Sequence, residues 1–229
     1  MQIKIDQRSF FVFDLDDTIF QEIDFLKSGY SNIAAKLAEF INADIYAEMI
    51  EKYQNKENVF EWILNQHEEK LPHVTMKWLI KEYREHIPHI ELSKKTNIFF
   101  QKLKVSKVPM GLITDGRSIT QRNKLKALGI ENYFTDIIIS EEFGSEKPDE
   151  RNYLYFQNRY PGLNFYFFGD NTSKDFIVPK KLGWKTICIK NSGYHIHTQS
   201  FDKEPVPDSI ITGFEEIEII PNHHVDVDT

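Results

Sequence analysis

The sequence predicts an α/β protein in which a parallel sheet, covered by helices on both faces, is interrupted after its first main strand by an all-helical insertion. Three observations carry this expectation. Short apolar runs without polar alternation recur along the chain, as strands buried on both faces require. Amphipathic helical patterns separate those runs, the alternation that builds right-handed strand–helix–strand units. The stretch from about 22 to 87 has helical periodicity and no convincing strand signal.

In chain order, Phe10–Phe13 is the first buried strand. Ile23, Leu26, Tyr30, Ile33, Leu37 and Phe40 then step at threes and fours and line one helical face, with Gly29 inside that helix at a cost of about 1 kcal/mol relative to Ala. Tyr46–Tyr53, Val59–Leu64 and Met76–Tyr83 read as further helices, the last with Thr75 as N-cap. Pro88 ends the preceding helix within the linker Ile87–Ile90, and Ser93 starts a helix to about Lys104. The sheet resumes with Met110–Ile113, Ile137–Ile139, Phe165–Phe168, Thr186–Ile189 and Ser209–Ile211. Helices are expected at 117–128, stopped by Gly129, at 148–159 with Pro148 at its start, and at 174–182, stopped by Gly183. The polar segment Pro221–Thr229, with its His223-His224 pair, reads as a frayed tail rather than a metal site. The domain expectation is a core of residues 1–20 and 91–229 and a helical module of residues 21–90.

Composition narrows the function classes. A formal net charge of -7 is unsuited to neutralising a nucleic-acid backbone, so no nucleic-acid partner is expected. No stretch approaches the roughly 18 apolar residues of a membrane span, so no membrane partner is expected. The single cysteine, Cys188, cannot form an internal disulfide and reads as a small core residue, which fits a reducing, cytoplasmic address. No sequence pattern sets the oligomeric state.

Four segments follow strand ends, where open α/β sheets bind ligands. Asp14-Leu-Asp-Asp-Thr18 gathers carboxylates that need a cation or hydrogen-bond donors if buried, and oxygen ligands suit Mg²⁺. Leu112-Ile-Thr-Asp-Gly116 offers the Thr114 hydroxyl and the N–H groups near Asp115 and Gly116 to an anion close to a helix start. Glu146-Lys-Pro-Asp149 supplies Lys147, and Gly169-Asp-Asn-Thr-Ser-Lys-Asp175 supplies Asp170 and Asp175. Each segment alone also reads as an ordinary turn, cap or solvated charge.

Together, in this order and spacing over roughly residues 9 to 190, the segments resemble the haloacid dehalogenase-like hydrolase superfamily. The matching residues are Asp14, Asp16 and Thr18 of Asp-x-Asp-x-Thr, the strand-end Thr114, Lys147, and the Asp170 and Asp175 of Gly-Asp-x4-Asp. The resemblance implies a Rossmann-like core with a helical cap between the first and second motifs, and it implies roles. Asp14 is the nucleophile and Asp16 the general acid and base. Thr114 and Lys147 hold the phosphoryl oxygens, with Asp115 and Gly116 beside them. Mg²⁺ is held by the Asp14 carboxylate, the Asp16 main chain and Asp170, with Asp175 in support.

An acid at position 16 favours phosphate esters over the dehalogenase branch, because a departing halide needs no proton. The expected activity is Mg²⁺-dependent hydrolysis of a small phosphorylated metabolite, a sugar phosphate or a nucleotide, through an aspartyl-phosphate. A phosphotransferase or mutase on the same core, and a non-catalytic phosphate-binding protein, are the alternatives. Glu22, Lys27, Tyr30, Tyr83 and Arg84 are cap candidates for facing the substrate, although Tyr30 and Tyr83 read rather as packing residues and Lys27 and Arg84 as solvated charge; Arg117 is a further candidate that also reads as surface charge at a helix start.

Overall fold

The computed structural model describes residues 1–193 and 195–221, so the expected tail from 222 onward, with His223 and His224, lies outside the described residues. The strands are β1 (Gln2–Ile5), β2 (Ser9–Phe13), β3 (Met110–Thr114), β4 (Asp136–Ile139), β5 (Asn164–Gly169), β6 (Lys185–Ile189), β7 (Ser209–Ile211) and β8 (Glu218–Pro221). The helices are α1 (Glu22–Ile41), α2 (Tyr46–Gln54), α3 (Val59–Gln66), α4 (Met76–Glu85), α5 (Lys94–Val105), α6 (Ser118–Leu128), α7 (Ser140–Phe143), α8 (Glu150–Arg159) and α9 (Ile177–Lys181).

Six strands form one sheet in the order β4-β3-β2-β5-β6-β7, and every neighbouring pair is parallel. This is the α/β architecture expected from the apolar runs. Successive side chains of a strand point to opposite faces, and β2 shows the consequence. Phe11 and Phe13 enter a core with Phe99, Phe100 and Leu103 of α5 and Leu125 and Leu128 of α6. Phe10 and Val12 enter a second core with Tyr153 and Phe156 of α8 and Val178 of α9. Strands covered in this way have no face to leave polar, which is why their sequences lack alternation.

Helices α1–α4 surround a third apolar cluster of Leu26, Ile33, Leu37, Ile41, Met49, Ile63 and Leu79, among others, which shares no buried residue with the first two. The Thr75 and Ser93 hydroxyls cap α4 and α5, accepting from the N–H of Trp78 at 3.1 Å and of Thr96 at 3.0 Å. Gly129 and Gly183 lie in left-handed backbone at φ of 69° and 76°, where a Cβ is strained. Among the described residues no helix is long and apolar enough to cross a membrane.

Several expectations need correction. Phe40 is 63% exposed and Ile41 is buried in its place, because a step of four from Leu37, not three, stays on the buried stripe of α1. Asp149 is the N-cap of α8, its carboxylate accepting from the Arg151 N–H at 2.9 Å, so Pro148 stands before the helix rather than at its first position. Residues 174–176 form a turn before α9, and α4 ends at Glu85, ahead of Pro88. Pro221 belongs to β8, which pairs in parallel with β1 in a separate two-stranded sheet. That sheet joins four-residue strands from opposite ends of the chain, a pairing that no local pattern announces.

Candidate active site

Strands β3, β2 and β5 are neighbours, so their C-terminal ends present one row of side chains. Phe13 is in register with both Leu112 and Phe168, which brings Thr114 and Asp170 to within one residue of the level of Asp14. The Asp14 N–H continues the pairing by donating to the Phe168 carbonyl at 2.8 Å. Lys147 reaches this row from the loop after α7. Asp14, Asp16, Glu22, Thr114, Asp115, Lys147, Asp170, Asn171, Lys174 and His197 line one cavity of about 110 Å³.

Lys147 is buried at the centre of the charge arrangement. Its Nζ donates to Asp14 Oδ1 at 2.6 Å and pairs with Asp175 Oδ1 at 2.8 Å. Burial pulls the ammonium down, but Asp14 and Asp175 outweigh it and hold the lysine well above its ordinary value. Asp14 is pushed well above the usual carboxylate range, first by burial and then by Asp175 and Asp170, with Lys147 opposing. The Thr18 hydroxyl stands 3.4 Å from Asp14 Oδ2. Five carboxylates and two ammonium groups on one wall leave an excess of negative charge in poorly hydrated surroundings.

Asp14, Asp170 and Asp175 are all buried and bring carboxylate oxygens within 4.8 Å of one another. Asp170 Oδ2 accepts no well-formed hydrogen bond among the described residues, with His195 Nδ1 standing 3.5 Å away. An all-oxygen donor set with an orphaned buried carboxylate oxygen fits Mg²⁺. Asp175 is held in place by accepting from the N–H groups of Asp170 at 3.2 Å and Asn171 at 2.9 Å through Oδ2. Gly169 makes room for this turn, since a Cβ there would stand 2.5 Å from Asp175 Oδ2. A second group, Asp17, Asp170 and His195, lies beside the first. Asp17 is already engaged there, Oδ1 accepting from the Glu22 N–H and Oδ2 from the Ile196 N–H, each at 2.8 Å. Its left-handed φ of 54° makes it the bend between the first motif and α1.

Asp16 is on the cavity wall, but its carboxylate belongs to neither group. Its Oδ1 accepts from Lys124 Nζ at 2.7 Å and its Oδ2 from Gln121 Nε2 at 2.9 Å. Gln121 Nε2 also lies 2.5 Å from Thr114 Oγ1 and 3.1 Å from the Asp115 carbonyl. Asp115 orients the Lys147 loop, its Oδ1 accepting from the Lys147 N–H at 3.0 Å, and its Oδ2 pairs with Lys174 at 2.5 Å. Gly116 does not line the cavity; its N–H, expected to face an anion, donates to Ser140 Oγ at 2.9 Å.

Of the five cap candidates, only Glu22 lines the cavity, and its carboxyl is pushed up to about 8 by burial and by the charge of Asp16. Lys27 pairs with Asp24 at 3.9 Å, Tyr30 and Tyr83 pack within the helical cluster, and Arg84 is exposed. Arg117 is exposed and pairs with Glu141 at 2.5 Å. Reading the sequence missed Gln121, Lys124, Lys174, Asn171 and His197. The available signal was the scarcity of apolar residues on α6, whose Thr120, Gln121, Asn123 and Lys124 are nevertheless buried.

Residues 11–189 match the profile of the haloacid dehalogenase-like hydrolase family. The chain is 34% identical over 125 residues to a glyceraldehyde 3-phosphate phosphatase of Methanocaldococcus jannaschii, covering 53% of each chain. It is 31% identical over 109 residues to one of Methanopyrus kandleri, covering 46% of this chain and 44% of that one. It thus spans about half the length of these curated relatives. Among solved structures, a HAD-hydrolase of Bacillus subtilis bound to magnesium superposes with a TM-score of 0.60 at 20% identity, covering 92% of this chain and 97% of that one. A HAD phosphatase of Thermococcus onnurineus gives 0.55 at 19% identity, covering 90% and 94%. At these identities the likeness speaks for the fold.

Proposed function

This chain belongs to the haloacid dehalogenase-like hydrolases, and on that premise we propose that it is a Mg²⁺-dependent phosphatase acting on a phosphomonoester of a small metabolite, a sugar phosphate or a nucleotide. The observation that carries the reading is Asp16. It gives the cavity a carboxyl group two residues beyond Asp14, outside the metal-binding cluster and held by donors of its own. A departing alkoxide needs such an acid. The two relatives named as phosphatases support the same class, and the helical insertion 21–90 serves as the cap that keeps bulk water out during the first half of the reaction.

In this reading Asp14 attacks phosphorus, the bond to the leaving oxygen breaks, and Asp16 gives that oxygen its proton. Water then attacks the aspartyl-phosphate, passes a proton to Asp16 and releases phosphate. Thr114 and Lys147 hold phosphoryl oxygens, and Lys147 also orients the Asp14 carboxyl group and opposes the rise that burial gives it. Asp14, Asp170 and Asp175 would hold Mg²⁺ together with the Asp16 main chain. The cation supplies neutralisation of negative charge between the nucleophile and the phosphoryl oxygens.

Asp14→Asn and Asp16→Asn are each expected to lower turnover of an alkyl phosphate ester by orders of magnitude while leaving the fold intact. A chelator is expected to abolish turnover and added Mg²⁺ to restore it. Wild-type rates in either variant would refute the assignment of roles.

A further inference from the structure

Among the side chains on the cavity wall, Glu22 alone comes from the helical insertion. The first turn of α1 places it there, its N–H donating to Asp17 Oδ1 at 2.8 Å. The other carboxylates are engaged: Asp14 by Lys147, Asp16 by Lys124 and Gln121, Asp115 by Lys174, while Asp170 belongs to the metal-binding group. The Glu22 carboxyl group hydrogen-bonds to none of the described residues, yet it shares the wall with Asp16, the group that must meet the leaving oxygen.

We propose that Glu22 reads the leaving alcohol, and that the favoured substrates are phosphomonoesters whose alcohol carries hydroxyl groups and no carboxylate, as in sugar and polyol phosphates. The inference rests on the phosphatase reading and narrows it. A carboxyl oxygen with no protein donor offers itself to substrate hydroxyls. Above the value of about 8 to which Glu22 is pushed, a substrate carboxylate at the same place meets its negative charge beside the Asp16 carboxyl group, while the nearby ammonium of Lys124 is already paired with Asp16 at 2.7 Å. At that pH phosphorylated acids are disfavoured by repulsion rather than by size.

The test, run at pH 9 so that Glu22 is ionised, compares glycerol 1-phosphate with 3-phosphoglycerate, which differ in a hydroxymethyl against a carboxylate, and adds phenyl phosphate, whose leaving group has no further hydroxyl. The wild type is expected to favour glycerol 1-phosphate over 3-phosphoglycerate by about 10-fold or more in kcat/KM. Glu22→Ala is expected to lose about 10-fold more on glycerol 1-phosphate than on phenyl phosphate, the scale of one charged hydrogen bond. Glu22→Gln, nearly isosteric and safe for the fold, is expected to narrow the preference against 3-phosphoglycerate. An unaltered preference in both variants, or a wild type that favours 3-phosphoglycerate, overturns the inference and leaves the phosphatase reading standing. If the wild type turns over none of the three esters with Mg²⁺, the phosphatase reading falls and the inference with it.

Discussion

Two side chains of one helix converge on Asp16. Lys124 Nζ lies 2.7 Å from Oδ1 and, 4.4 Å from the centroid of the Phe25 ring, beneath the first helix of the insertion. Its side chain is only 3% exposed. Gln121 has two amide hydrogens for three acceptors, on Asp16, Thr114 and Asp115, so it ties the acid to the phosphoryl-binding side of the site. A Lys124→Met variant frees one oxygen of the acid to rotate and is expected to lose about 10-fold on an alkyl ester, the worth of one charged hydrogen bond. It should lose less on an activated aryl ester, whose leaving group departs without a proton. Equal losses on both esters, measured as kcat, would mean that Lys124 serves only packing. Asp14, Thr114 and Asp170 were legible because each ends or directly follows an apolar strand, and strand ends converge in an open sheet, while Lys147 and Asp175, in loops farther on, were legible through the family's motif order. Lys124 and Gln121 were not. Polar residues on a helix read as solvent-facing unless one knows what covers them, and here the cover is folded from residues about 30 to 100 positions upstream.

At the level of elements, α1 and α4 approach closely at Gly29. A Cβ there would stand 2.5 Å from Cδ2 of Tyr83 and 3.3 Å from Cε1 of His86. Tyr83 cannot simply swing away, since it packs against Phe25, Tyr30 and Phe60. Ser28 secures the same junction, lying 3.1 Å from His86 Nε2 and accepting from the His89 N–H at 2.8 Å. Helix propensity alone predicts that Gly29→Ala stabilises by about 1 kcal/mol, whereas overpacking a filled contact costs about 1–3 kcal/mol. The contact is expected to win, lowering the urea midpoint; a raised midpoint would show that the junction yields freely. This is the same glycine that the sequence marked as a helix defect, and its use becomes visible only with α4 in place. The strands β2, β3, β5 and β6 needed no such context, because burial on both faces is written into each run, whereas the edge strand β7, expected to be buried, leaves Ile210 42% exposed. The pairing of β1 with β8 did need it, since its two partners come from opposite ends of the chain.

In a chain with a net charge of -7, the cavity gathers five carboxyl groups and two ammonium groups on its wall. Glu22 is pushed up to about 8, and Asp14 and Asp170 are also raised, in each case chiefly by burial. A raised carboxyl keeps its proton in the folded chain at a pH where the unfolded chain has lost it, so stability declines as pH rises toward the folded value. Two histidines act in the opposite sense: partial burial lowers the half-buried His67 and the buried His86, which favours the folded state once pH exceeds their unfolded value of about 6.5. Above pH 7 those imidazoles are largely neutral in both states, and Cys188, pushed up to about 12, adds a loss of the same sign only as pH approaches the thiol's ordinary value of about 8.5. Over most of the interval between pH 7 and 8.5 Glu22 is therefore the deciding group. In chelator the thermal midpoint is expected to fall across that interval, with a slope of up to about 1.4 kcal/mol per pH unit for each proton involved. Mg²⁺ binds the deprotonated carboxylates and not the protonated ones, so the rise in midpoint at saturating Mg²⁺ is expected to grow over the same interval. Differential scanning calorimetry at pH 7 and 8.5, with chelator and with Mg²⁺, measures both trends. A chelated protein that gains stability with pH, together with a Mg²⁺ increment independent of pH, would mean that these acids do not carry their protons into the fold and that the cation is held elsewhere.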